Sequence, residues 1–122
     1  MNTHKKQIPR GFLDIIWGIS SKEYQKRVWI EGKGPECDDF DDTVCNFFQL
    51  GEPIFDDYKK FAITDSQYCL LKKFWIEFNA FVDSEKREYL EKDFINSPEW
   101  TNITDIAKEI LQKFHYQKSK DH

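Results

Sequence analysis

Five carboxylates in seven residues, Glu36, Asp38, Asp39, Asp41 and Asp42, are the densest set of side chains with chemical potential in this sequence. Carboxylates at this spacing can hold Mg²⁺ when a phosphate group completes the shell. Asp38, Asp39 and Asp42 fit a D-D-x-x-D pattern suited to a diphosphate. Such a centre also needs a large helical cavity and a second metal motif, for which 122 residues leave no room. A Ca²⁺ loop starting at Asp38 fails on composition. Its sixth position is Thr43 where glycine is required, and its twelfth is Gln49 where glutamate is required. Paired carboxylates for hydrolysis are available, but any acidic chain offers them. No nucleophile elbow, P-loop or dinucleotide fingerprint occurs, and Gly11, Gly18, Gly32, Gly34 and Gly51 form no phosphate cradle. Cys37, Cys45 and Cys69 make no C-x-x-C pair, and His4, His115 and His122 lie away from them, so neither a Zn²⁺ site nor a Cys–His nucleophile is indicated. The cysteines read as free thiols of a reducing cytoplasm. The sequence therefore predicts a protein that is not an enzyme and needs no cofactor. The standing alternatives are a metal-assisted hydrolase or phosphate-handling enzyme using the Asp38–Asp42 cluster, and an acidic adaptor for another basic protein.

The carboxylates belong to a wider segregation of charge. The net charge of −4 divides into +4 over residues 1–30, −8 over residues 31–57 and zero over residues 58–122. The acidic segment holds nine acids, completed by Glu31, Glu52, Asp56 and Asp57, against Lys33 alone. Direct nucleic-acid binding needs a basic surface and is not expected. A dense acidic surface suits a basic protein instead, because it steers encounter and rejects wrong partners.

The elements that must position these acids read as helices. Phe40, Val44, Phe47 and Phe48 follow i, i+4, i+7, i+8 spacing, with Asp38, Asp41 and Asp42 off that face. The acidic helix is expected from about Asp38 to Leu50, after the Gly32–Pro35 break, and closed by Gly51. Pro53 suits the first turn of another short helix over residues 52–61. Upstream, Phe12 to Trp17 reads as helix or strand, and Ser20 or Ser21 caps a helix from Lys22 to Ile30. Downstream, Thr64-Asp65-Ser66 caps a long helix to Val82 with the stripe Leu71, Trp75, Phe78 and Val82, widened by Leu70, Phe74 and Phe81. Residues 83–92 read as a charged loop or turn. Pro98 opens a last helix with Ile103, Ile106, Ala107, Ile110, Leu111 and Phe114 on one face. The fold class predicted is all-α, a single domain of five or six helices at residues 11–116 around an aromatic core. Residues 1–10 read as a flexible lead-in and 117–122 as a polar tail. The 11 Phe, 5 Tyr and 4 Trp supply that core. No apolar run approaches the length of a membrane span, and the positive start lacks the apolar segment of a secretory signal. A cytoplasmic protein without a membrane partner is expected.

Trp29-Ile30-Glu31-Gly32-Lys33-Gly34-Pro35-Glu36 and Asp39-Phe40-Asp41-Asp42-Thr43-Val44 resemble the W-I-x-G-x-G-P-E and D-x-F-D-E-T-V segments of small bacterial immunity proteins. These are similar to the immunity partners of contact-dependent growth inhibition and related polymorphic toxins. Tyr58-Lys59-Lys60-Phe61, Ile63 with Thr64-Asp65-Ser66-Gln67-Tyr68, and Ser97-Pro98-Glu99-Trp100 resemble the same group. Asp42 stands where the pattern has glutamate. The resemblance implies an inhibitor of a cognate toxin domain, commonly a nuclease. Combined with the charge pattern, it predicts docking on a basic RNase through Glu36, Asp38, Asp39, Asp41 and Asp42, with Glu52, Asp56 and Asp57. Trp29 and Tyr58 are candidate aromatic anchors at either end of the block, with plain core packing the alternative for both.

Overall fold

The computed structural model describes residues 5–84 and 90–118. Within them the chain is all-α, with no strand. Helix α1 (Arg10–Ser20) follows Pro9 and buries Phe12, Ile16 and Ile19, one stripe at i, i+4, i+7. Ser21 then accepts the N–H of Tyr24 at 3.1 Å and caps α2 (Lys22–Tyr24), which runs directly into a π-helical segment, Gln25–Ile30. The remaining helices are α3 (Phe40–Asp56), α4 (Asp65–Val82), α5 (Glu91–Phe94) and α6 (Pro98–Lys113), with a 3₁₀ turn at Tyr58–Lys60. Helix α1 packs on α6 and α3, and α4 packs on α6. Aromatic rings join α3 to α4, with Phe47 5.3 Å from Phe74 and 5.2 Å from Phe78. Phe40 sits at the hub, its ring 4.9 Å from Phe94, 5.7 Å from Trp100 and 6.0 Å from Trp29.

Two boundaries differ from the sequence expectation. The acidic helix does not stop at Gly51, and no separate helix covers residues 52–61: α3 continues through Gly51 and Pro53 to Asp56. Gly51 is buried for packing. A Cβ there would lie 3.0 Å from the Phe12 ring and 3.2 Å from the Trp75 ring. Pro53 removes one backbone donor, yet Ile54 is fully buried one residue later and holds the last turn to the core. At the N-terminal side, the lead-in is tied down at Lys6, whose N–H donates to Lys60 O at 2.9 Å and whose carbonyl accepts from Ala62 at 2.8 Å. Residues 116–118 lie back against α1. The Tyr116 hydroxyl donates to Asp14, and the Lys118 ammonium lies 4.7 Å over the Trp17 ring. Residues 1–4 and 119–122 of the expected lead-in and tail, and 85–89 of the expected charged loop, lie outside the described residues.

Among the described residues, Gln25 is the one fully buried side-chain amide. Its Nε2 donates to the α1 carbonyls of Gly18 at 2.9 Å and Ile19 at 2.8 Å, and its Oε1 accepts the Trp100 indole N–H at 2.8 Å. It thus closes the C-terminal end of α1 and fixes the largest fully buried side chain of α6 at once. Gln25→Leu fills the space but strands the Ile19 carbonyl and the Trp100 indole donor, and leaves the Gly18 carbonyl with only the 3.4 Å bond from the Ser21 N–H. An expected loss of about 3 kcal/mol in urea unfolding follows, and a loss below about 1 kcal/mol would show that those groups find other partners.

Candidate functional site

The acidic segment separates into two parts with different work. In the loop between the π segment and α3, each carboxylate has a structural partner. Gly32 takes φ +65°, where the π segment ends, and Lys33 N–H then donates to Arg27 O at 2.8 Å. The Arg27 guanidinium donates to Lys33 O at 3.1 Å and grips Glu36 with two bonds, at 2.8 and 3.0 Å. Gly34, at φ +104°, passes beneath this clasp. A Cβ there would fall 2.1 Å from Arg27 Nη1. Glu31 pairs with Lys33 at 3.3 Å.

Asp38 turns inward. One carboxylate accepts the Tyr24 hydroxyl at 2.9 Å, the Trp29 indole N–H at 3.0 Å and the Thr43 hydroxyl at 3.2 Å. Thr43 and Trp29 are buried and Asp38 is half-buried. Burial and the neighbouring carboxylate hold the Tyr24 hydroxyl protonated well above the ordinary phenol range, which keeps it a donor. Asp39 caps α3 by accepting the Asp42 N–H at 2.8 Å. A D-D-x-x-D cluster, which the enzyme alternative would need, is not assembled: Asp38 is engaged with three donors and Asp39 with the helix end. Among the described residues no three His, Cys, Asp or Glu side chains converge to hold a metal ion.

The second part is the solvent face of α3. At 3.6 residues per turn, Asp41, Asp42, Gln49, Glu52 and Asp56 share one side, and all are exposed. The continuity of α3 through Gly51 creates this face, which spans about 22 Å from Asp41 to Asp56 at 1.5 Å per residue. Among the described residues, Asp42, Glu52 and Asp56 enter no ion pair. Asp57, one residue past the helix, reaches Lys60 at 3.7 Å.

The helix macrodipole ranks these acids. Asp41 and Asp42 lie in the first turn, where partial positive charge favours them. Glu52 and Asp56 lie toward the negative end, and the last turn of α3 contains no basic residue. A carboxylate in the last turn, Asp56, opposes the dipole by roughly 0.3–1 kcal/mol, and Glu52, just before that turn, opposes it more weakly. They are the acids that the fold does not explain.

Of the two candidate aromatic anchors, Trp29 is buried in the core and Tyr58 is half-buried. Trp29 is 8% exposed, wedged against Phe40 and Trp100, with its indole N–H committed to Asp38. Tyr58 stacks on Tyr68 with centroids 3.8 Å apart and bonds Asp65. Tyr24, Arg27 and Thr43, absent from the sequence-predicted set, shape the loop, and Gln25, also absent from it, joins the end of α1 to Trp100. Gln25, Val28 and Trp29 follow i, i+3, i+4, so a polar residue on an apolar stripe was the available signal for Gln25. No protein-family model, curated protein or solved structure matches the chain.

Asp38→Ala strands three donors and is expected to cost about 2 kcal/mol or more, whereas exposed Asp42→Ala should stay within about 1 kcal/mol. Equal losses in chemical unfolding would refute the division between inward and outward acids. The Arg27 bonds hold the Glu36 carboxyl down to about 2, below its ordinary value of 4.5. A depressed carboxyl contributes stability that is present above 4.5 and lost as pH falls through about 2. The pair is more than a third exposed, so solvent screens most of its worth. Carbon-detected NMR titration should place Glu36 near 2, and Gly34→Ala, by forcing Arg27 aside, should move it back toward 4.5. An unmoved midpoint in that variant would dissociate the shift from the clasp.

Proposed function

We propose that this chain is a non-catalytic immunity protein that neutralises a toxin domain by docking the solvent face of α3 on its basic surface. The observation that carries the reading is the unpaired charge at Glu52 and Asp56, which weakens α3 electrostatically and returns nothing to the fold. Charge retained against local stability is characteristic of binding surfaces. The resemblance of residues 29–44 and the later segments to immunity proteins of polymorphic toxins supplies the class of partner. A nuclease that holds phosphates with Lys and Arg would accept the carboxylates of α3 in their place, and an RNase is the favoured target. Action beside the toxin's own active site would serve inhibition equally well.

The docking set is accordingly Asp41, Asp42, Glu52 and Asp56, with Asp57 at the margin. Glu36, Asp38, Asp39, Trp29 and Tyr58 support it by shaping the preceding loop, the start of α3 and the turn after it. The protein works in the cytoplasm of the producing cell and needs no cofactor. No described helix is long and apolar enough to cross a membrane.

The test pairs stability with binding. In the Asp42→Lys/Glu52→Lys/Asp56→Lys variant, association with the toxin domain encoded beside this gene should slow about tenfold to a hundredfold at low salt. The parent's rate should fall steeply with ionic strength, and the variant's should not. Glu52→Lys/Asp56→Lys alone should leave the fold intact and raise unfolding stability by about 0.5 kcal/mol or more. Unchanged association rates would remove α3 from the interface. Tight binding to an unrelated basic protein, with none to the adjacent gene product, would favour the adaptor reading.

A further inference from the structure

Helix α4 buries Leu71, Phe74, Phe78 and Phe81 and turns a different face to solvent. Cys69, Lys72, Lys73, Ile76, Ala80 and Asp83 are exposed and run along that face at helical spacing. Ile76 is 55% exposed, a large apolar side chain in the middle of a charged surface. Charge reverses across it: Lys72 and Lys73 lie one turn before Ile76, and Asp83 lies two turns after. Beside the second half, an open depression of about 290 Å³ separates α4 from α6, floored by Ala80, Phe81 and Ile103 and rimmed by Glu77 and Glu99.

We propose that this face pairs with the same face of a second copy, the two α4 helices running antiparallel about a two-fold axis at the level of Phe78. A two-fold contact must be self-complementary, and this face is so in one direction only. Antiparallel pairing lays Ile76 of each copy over Ala80 of the other, at the mouth of the depression. The same register sets Lys72 beside Asp83 and turns Lys73 toward the acidic rim. Parallel pairing would set Lys72 and Lys73 against themselves and Asp83 against itself, which is repulsive. Lys72 and Asp83 are eleven residues apart, about 16 Å along one helix, too far to meet within a chain. Neither enters an ion pair among the described residues. The face shares no residue with the acidic side of α3, so this pairing stands or falls independently of toxin binding.

Sedimentation equilibrium of the full chain under reducing conditions, from about 10 μM to about 1 mM, should show a reversible monomer–dimer equilibrium. Ile76→Lys should be monomeric throughout. Lys72→Asp and Asp83→Lys should each raise the dimer dissociation constant about tenfold or more, and the two combined should restore it to within about threefold of the parent. Circular dichroism and tryptophan emission confirm that each variant is folded. A parent that stays monomeric at the highest concentration overturns the proposal. So does a dimer indifferent to Ile76→Lys, or a charge swap that fails to rescue.

Discussion

The carboxylate of Asp38 is the point on which the acidic half of this molecule is organised. It gathers a hydroxyl from α2, an indole N–H from the π segment and a hydroxyl from α3. Each donor alone contributes modestly, but a charged acceptor strengthens every bond and leaves no half-buried donor unanswered. With Asp38 so held, Asp39 falls at the helix start, and Phe40 enters the ring cluster formed by Trp29, Phe94 and Trp100. The direction of α3, and hence of its exposed acids, is set by a residue that is itself turned away from solvent.

The loop leading to Asp38 is over-determined for the same reason. A π segment is wider than an α-helix and ends awkwardly. Here Gly32 reverses the chain, Gly34 admits the guanidinium of Arg27, and Glu36 neutralises it. The residues of the Trp29–Glu36 resemblance are therefore mostly residues of construction.

Helical class, the apolar stripes of α4 and α6 and the caps at Ser21, Thr64 and Ser97 were legible because each depends on local spacing and short-range hydrogen bonds. The end of α3 was not. A glycine followed by a proline carries the local signature of a helix end, and only the approach of Phe12 and Trp75 from other helices shows why glycine stands at 51. The roles of Asp38 and Trp29 were hidden for a related reason. An aspartate in an acidic run looks solvated until Tyr24 and Thr43 are placed beside it, and sequence gives charge without direction. Their partners are five to fourteen residues away, across a loop whose path no periodicity describes.

The electrostatic strain of the acidic segment does not lie where its charge is densest. Density of charge singles out residues 36–42, yet there the acids cap, clasp or anchor, or sit where the dipole welcomes them. Glu52 and Asp56 are sparser and harder to justify, because they face water at the wrong end of a helix. A helix that ended at Gly51 would have left them in a separate element with its own dipole, at the favourable end. Continuity through Gly51 and Pro53 converts them into an electrostatic burden and, in the same step, aligns them with Asp41 and Asp42 on one surface. A fold selected for stability alone would place lysine at these positions. The cost is small enough to be tolerated in a core closed by Phe47, Phe74 and Phe78, and a basic surface lying against the helix, as proposed, would offset it.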